Sequence, residues 1–133
     1  MQSDMINFIV SMFMDCKVTS FMQDLNSLNV ENMQKWFDDE SKIWIPPAKE
    51  IQGGNRILAL FRAIFRKYEN IKWQESEIFD LGKNRFFYET VSVGNMKGKG
   101  VYTNNICTII YFNEAGKIRL LSDYFKDTAC FQP

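Results

Sequence analysis

The sequence predicts one α+β domain, with N-terminal helices packed on one face of a strongly curved, mostly antiparallel sheet. Three observations carry that prediction. Apolar residues recur at helical spacing in the first third of the chain, four β-like runs follow from Ile71 onward, and the runs are joined by short Gly/Asn/Asp-containing loops suited to hairpins. At 133 residues the chain has room for a single core. No repeat, low-complexity tract or Pro/Gly/Ser linker divides it, so residues 1–133 are read as one domain.

Taken in order, Ile6, Ile9, Val10 and Phe13 fall three and four residues apart behind Ser3, a suitable N-cap. A break near Lys17–Ser20 is expected before Phe21, Met22 and Leu25 continue the apolar face. Asn29 caps a second short helix through Val30, Met33 and Phe37. Lys42–Ile45 reads as a short strand stopped by Pro46-Pro47. Gly53-Gly54 turn into the clearest helix, Asn55 to about Tyr68, which places Ile57, Leu58, Phe61, Ile64, Phe65 and Tyr68 on one side. Arg56, Arg62, Arg66 and Lys67 fall on the solvated side. The four β-like runs are Ile71–Phe79, Arg85–Val93, Val101–Phe112 and Ile118–Tyr124. Gly94 through Gly100 reads as a hairpin tip: it matches neither a Walker A loop nor a dinucleotide fingerprint, and it joins strand to strand.

Composition narrows the chemistry. Hydrophobic residues make up 46% and the aromatics include 12 Phe, 5 Tyr and 3 Trp, which suits a folded globule and not a disordered chain. Sixteen Lys+Arg balance sixteen Asp+Glu, so no field of one sign draws the chain onto nucleic acid or anionic lipid, and neither partner is expected. There is no histidine. That removes Ser-His-Asp and Cys-His machinery, histidine metal ligands and a histidine base, leaving carboxylates, Tyr, Lys, Arg, Cys or bound water. Cys16, Cys107 and Cys130 are scattered and never spaced Cys-x-x-Cys, so no metal site or disulfide framework is expected, and a reducing, cytoplasmic setting fits. Met5–Met14 is apolar but short and lacks a basic lead, so no signal peptide or membrane span is read there.

Gly53-Gly54-Asn55-x-Ile57 opening a helix, the long hairpin strands, Phe112-Asn113-Glu114-Ala115-Gly116-Lys117-Ile118 and Asp123-Tyr124-Phe125-Lys126-Asp127 together resemble the SnoaL-like polyketide cyclase family. That family belongs to the nuclear-transport-factor-2-like superfamily, with ketosteroid isomerases and limonene epoxide hydrolases. The resemblance, from about Asp15 to Thr128, implies a cone in which a bent sheet wraps helices around an apolar pocket, often dimerising through the outer sheet face. It implies no cofactor.

The resemblance also tests individual positions. Where the isomerases place a base before a proline, this chain has Ile45 before Pro46. Their second acid falls near Thr108, which hydrogen-bonds but is a far weaker acid. The region Tyr88-Glu89-Thr90-Val91-Ser92 lacks the Arg-x-Asp of the epoxide hydrolases. The polyketide cyclases use a last-strand Asp as acid/base, which matches Asp123, although their partner histidine has no counterpart. With simple alternation Arg119, Leu121, Asp123 and Phe125 share a face, which the family register turns into the pocket. Asp123 is therefore the catalytic candidate, its charged form disfavoured by an apolar cavity. The competing reading pairs it with an arginine or a backbone group at the rim.

Ligand contacts follow from the same register. On Val101–Phe112 the even positions Tyr102, Asn104, Ile106, Thr108 and Ile110 are expected inward, with Asn104 and Thr108 as polar points on an apolar wall. On Arg85–Val93 both parities stay open, with Tyr88 favoured inward and Glu89 at an interface. Trp44, Phe61 and Phe65 are expected to line the closed or side walls, although aromatics at helical spacing also serve as plain core. Two functional classes remain. One is an enzyme of cyclase or isomerase type acting without a cofactor on a small apolar, carbonyl-bearing molecule; the other is a non-catalytic binding or dimerisation module of the same fold. The aromatic and β-branched second half exceeds what one concave face requires, so a homodimer through the outer face is expected.

Overall fold

The computed structural model describes residues 17–131. The expected cap Ser3 and the apolar set Ile6, Ile9, Val10 and Phe13 lie outside the described residues. Residues 17–26 are helical (α1), so the break expected near Lys17–Ser20 is absent; Val18, Phe21 and Met22 are buried on one continuous face. A 3-10 helix, Val30–Trp36, follows, and its cap is Asn29, whose side chain accepts from the Glu31 N–H at 3.0 Å. Trp36 stands edge-on to Phe21 and donates its indole N–H to Asp24 at 2.8 Å, which ties this turn to α1.

Six strands form one sheet: β1 Lys42–Trp44, β2 Ile51–Gln52, β3 Tyr68–Gly82, β4 Arg85–Met96, β5 Gly100–Phe112 and β6 Ile118–Phe125. Their spatial order is β2-β1-β6-β5-β4-β3. All neighbours are antiparallel except β1 and β6, which run parallel. The short β2 carries too little pattern to be read from sequence. The second helix, α2, spans Gly54–Arg66 and buries Ile57 and Phe61. Tyr68, expected at its end, instead opens β3.

The concave face of the sheet holds the core. On β4 Phe86, Tyr88, Thr90 and Ser92 are buried while Glu89, Val91 and Val93 are exposed, which resolves the open parity in favour of Tyr88 inward. The expected even set of β5 is likewise the inward one, with Asn104, Ile106, Thr108 and Ile110 buried. Simple alternation fails on β6. Tyr111 pairs with Leu120 but Phe112 pairs with Ile118, so Arg119 is the extra residue of a bulge. Ile118 and Leu121 are therefore buried, whereas Arg119, expected to face inward, is exposed with its guanidinium over the Tyr111 ring.

Two devices bend and anchor the edge. The β3–β4 ladder shifts register between Glu75 and Ile78, among other places, which increases local twist and coils the sheet over the helices. Where β3 lacks a further strand, Asn26 at the end of α1 substitutes for one: its amide accepts from the Trp73 N–H at 2.8 Å and donates to the Trp73 carbonyl at 2.9 Å. Both backbone groups of an edge residue are thus satisfied by one side chain.

Gly94, expected in a hairpin tip, lies inside β4 opposite Ile71. A Cβ there would stand 2.2 Å from the Asn70 carbonyl oxygen, so only glycine permits the approach of the two backbones. Gly94→Ala is expected to lower unfolding free energy by about 3 kcal/mol or more. Gly98→Ala, at positive φ but with open space around it, costs only about 1–2 kcal/mol. Urea denaturation of the two variants checks the contrast.

Candidate functional site

Three neighbouring strands place their side chains in one row. Tyr88 on β4 is registered opposite Thr108 on β5, and Thr108 opposite Asp123 on β6. Because cross-strand partners share a face, all three point into the concave side. The Thr108 hydroxyl donates to the Asp123 carboxylate at 2.6 Å. The Tyr88 hydroxyl donates to the Met22 sulfur at 3.4 Å. A thioether is a weak acceptor, so this phenol is held by packing more than by its hydrogen bond.

The row lines a cavity of about 330 Å³ between the sheet, α1, α2 and the chain after β6. Met22, Phe61, Trp73, Ile106 and Leu121 make its wall mostly apolar. That size and character suit a small organic ligand. Among the described residues no group of three Cys, Asp or Glu side chains converges as a metal site would require.

The surroundings set the electrostatics. Burial disfavours the charged form of Asp123 and pushes its carboxyl up to about 7, with the Thr108 hydrogen bond pulling the other way. Among the described residues it has no ion-pair partner, so the pairing with an arginine considered from sequence does not occur. Burial, reinforced by the negative charge of Asp123, raises the Tyr88 phenol well above its ordinary value. Tyr88 is thus a neutral hydrogen-bond donor at physiological pH, and Asp123 populates both of its protonation states.

Of the residues singled out from sequence, Asp123, Tyr88, Thr108 and Phe61 reach the cavity wall, and three do not. Trp44 sits between the inward Ile43 and Ile45, so alternation turns it to the outer face, where it packs edge-on against Tyr124. Phe65 stands behind the wall, its ring against Phe61 and Trp73. Asn104 is inward but committed: its amide donates to the Asp127 carbonyl at 2.9 Å and the Tyr102 hydroxyl at 3.1 Å, pinning the chain after β6. Met22, Tyr68, Trp73 and Tyr102 line the cavity without having been singled out as contacts. Parity already placed Tyr102 inward, and helical spacing placed Met22 and Tyr68 on apolar faces; no local signal marks Trp73 as a contact.

The sequence matches no protein-family model and no curated protein. Solved structures do match. An NTF2-like protein of unknown function from an Exiguobacterium species superposes with a TM-score of 0.73 at 17% identity, over 84% of this chain and 99% of that one. An epoxide hydrolase from M. tuberculosis gives 0.69 at 19% identity, over 83% and 80%. A Jannaschia protein described as a SnoaL-like polyketide cyclase gives 0.73 at 7% identity, over 85% of each chain. This chain has the NTF2-like fold. At such identities the likeness carries the architecture, and the chemistry of the NTF2-like cavity has to be argued from its own side chains.

Desolvation of the half-buried Asp123 has a thermodynamic signature. Its carboxyl titrates at about 7 in the folded chain against 3.8 in its ordinary state, so between those values the folded state binds more protons than the unfolded one. Stability therefore falls as pH rises from about 4 to about 7, and the loss is complete above that range. Asp123→Asn removes the penalty. The variant is expected to exceed the parent by roughly 2–4 kcal/mol near pH 8 and to gain nothing near pH 4; urea denaturation at the two pH values checks it.

Proposed function

We propose that this cavity receives a small apolar, carbonyl-bearing molecule and that Asp123 moves a proton on it, in a cofactor-free reaction of isomerase or cyclase type. The observation that carries the reading is a carboxyl on an apolar wall, free of any cationic partner among the described residues and titrating at about 7. A general base near neutrality is most effective when its own affinity for the proton matches the ambient pH. An epoxide hydrolase and a SnoaL-like cyclase among the structural neighbours are in keeping with it.

In this reading the Asp123 carboxylate takes a proton from the carbon beside the carbonyl, and the C–H electron pair becomes the enolate. The Tyr88 hydroxyl leaves its weak thioether acceptor on Met22 and donates to the enolate oxygen. The Asp123 acid then returns the proton to a different carbon, which is an isomerisation. Alternatively the enolate carbon attacks a second carbonyl of the same molecule and the proton goes to the new alkoxide, which is an aldol cyclisation. Thr108 is the positioning residue, fixing one carboxylate oxygen so that the other faces the ligand. Free thiols at Cys107 and Cys130 suit the cytoplasm as the place of action.

The outer sheet face is the proposed homodimer surface. Phe79 stacks on Phe87 there at 4.5 Å, and Val93 and Tyr124 are about half exposed. A patch of this kind facing its own copy forms a two-fold, self-complementary contact.

Two experiments test these readings. With 2-tetralone in D2O, the protein is expected to accelerate exchange of the α-protons followed by NMR, and Asp123→Asn to reduce the accelerated rate by about 100-fold or more. Thr108→Val removes a hydrogen bond that favours the carboxylate, so the pH–rate midpoint moves upward. Equal exchange by the parent and Asp123→Asn would leave a binding module. Sedimentation at several micromolar is expected to give a dimer that Val93→Lys dissociates, and a monomeric parent would remove the dimer.

A further inference from the structure

The positive charges of the cavity are gathered at its opening. Lys67, Lys97 and Lys99 all line the cavity and all are exposed, so they stand where it meets solvent. Their convergence is built by the backbone. The Lys97 N–H donates to the Lys67 carbonyl at 2.8 Å, which fastens the β4–β5 turn to the end of α2, and the Lys99 N–H closes that turn on the Met96 carbonyl at 3.0 Å. Gly98, at φ 76°, permits the tight reversal between the two hairpin lysines.

Among the described residues none of these lysines is ion-paired. Asp123, in the buried row, is the one acidic residue on the wall among the described residues. The one ion pair among the described residues joins Lys35 to Asp24, elsewhere on the molecule. The dipole at the C-terminus of α2 accommodates Lys67, but Lys97 and Lys99 lie on a hairpin turn and gain nothing from it. The chain carries no net charge overall, so the concentration of cations at this opening is local. Three like charges held around one apolar mouth repel each other, and an anion seated among them relieves that repulsion. The Tyr102 hydroxyl at the cavity wall accepts from the Asn104 amide at 3.1 Å.

We infer that the ligand of this cavity is an apolar organic acid, bound with its uncharged body on the wall and its anionic group among Lys67, Lys97 and Lys99 at the mouth. The inference rests on the proposal that the cavity is a ligand site, and it adds an orientation. With the charged end held at the opening, the opposite end of the molecule is the one delivered to Thr108 and Asp123. Lys67, Lys97 and Lys99 are thus specificity residues, separate from the proton-transfer row.

A matched pair of fluorescent probes tests it. 8-Anilino-1-naphthalenesulfonate and N-phenyl-1-naphthylamine share an aromatic body and differ by one anionic group. The full chain is expected to bind the sulfonate about tenfold more tightly at low salt, and the preference to shrink as salt rises. The triple variant K67Q/K97Q/K99Q, changed only at exposed positions, is expected to bring the two probes to equal affinity while leaving the neutral one unchanged. Equal affinities in the parent, or a preference that survives the triple variant, would overturn the anionic assignment and leave the apolar site standing. Failure of both probes to bind would overturn the ligand-site reading, and the anionic assignment with it.

Discussion

The register of β4, β5 and β6 is the constraint on which the site depends. Each strand alternates, so a slip of one residue would turn Tyr88, Thr108 or Asp123 to the outer face and leave its neighbours without partners. The register is fixed by large side chains on the same faces: Phe86 and Ile110, fully buried on β4 and β5, and Leu121 on β6 stand one step along from the polar row. The apolar core and the polar row are consecutive rungs of one ladder. The bulge at Arg119 lets β6 keep that ladder while still pairing Ile118 with Phe112.

The helices and the sheet bend turn this row into a cavity wall. Asn26 ties α1 to the edge strand through Trp73, and Trp73 and Phe61 line the same cavity as the row. Excluding water raises the Asp123 carboxyl toward neutrality, and the same exclusion makes its ionised form a burden on folding above that pH. One hydrogen bond from Thr108 holds the carboxyl in place without fully satisfying it. A carboxylate given several donors or a cation would be more comfortable and less basic.

Much of this was legible in the sequence, and the exceptions have physical causes. On β5 the two alternating sets are alike in composition, and it was the family register that put Asn104, Ile106, Thr108 and Ile110 inward, where the structure buries all four. Alternation also gave Asp123 the correct face, but it misplaced Arg119, because a bulge changes parity without changing composition. Trp44 is a large aromatic in a short strand, and only the pairing of Ile43 with Leu121 shows that its face is the outer one. Asn104 was polar, inward and in register; what sequence lacks is that its amide is spent on Asp127 and Tyr102. Lys67 read as part of a solvated helix stripe, and it became a rim residue because a turn thirty residues later docks on its carbonyl. Non-local contact is what local periodicity does not encode.

A base near neutral pH requires that Asp123, half-buried and without an ion-pair partner among the described residues, exchange its proton there. Titration of the protein with 13C-labelled aspartate carboxyls, with Asp123 assigned by loss of its resonance in Asp123→Asn, measures this directly. The expected midpoint is about 7. A midpoint at the ordinary value near 4 would contradict it, since it would mean a solvated or paired carboxylate and a cavity unable to make Asp123 a base.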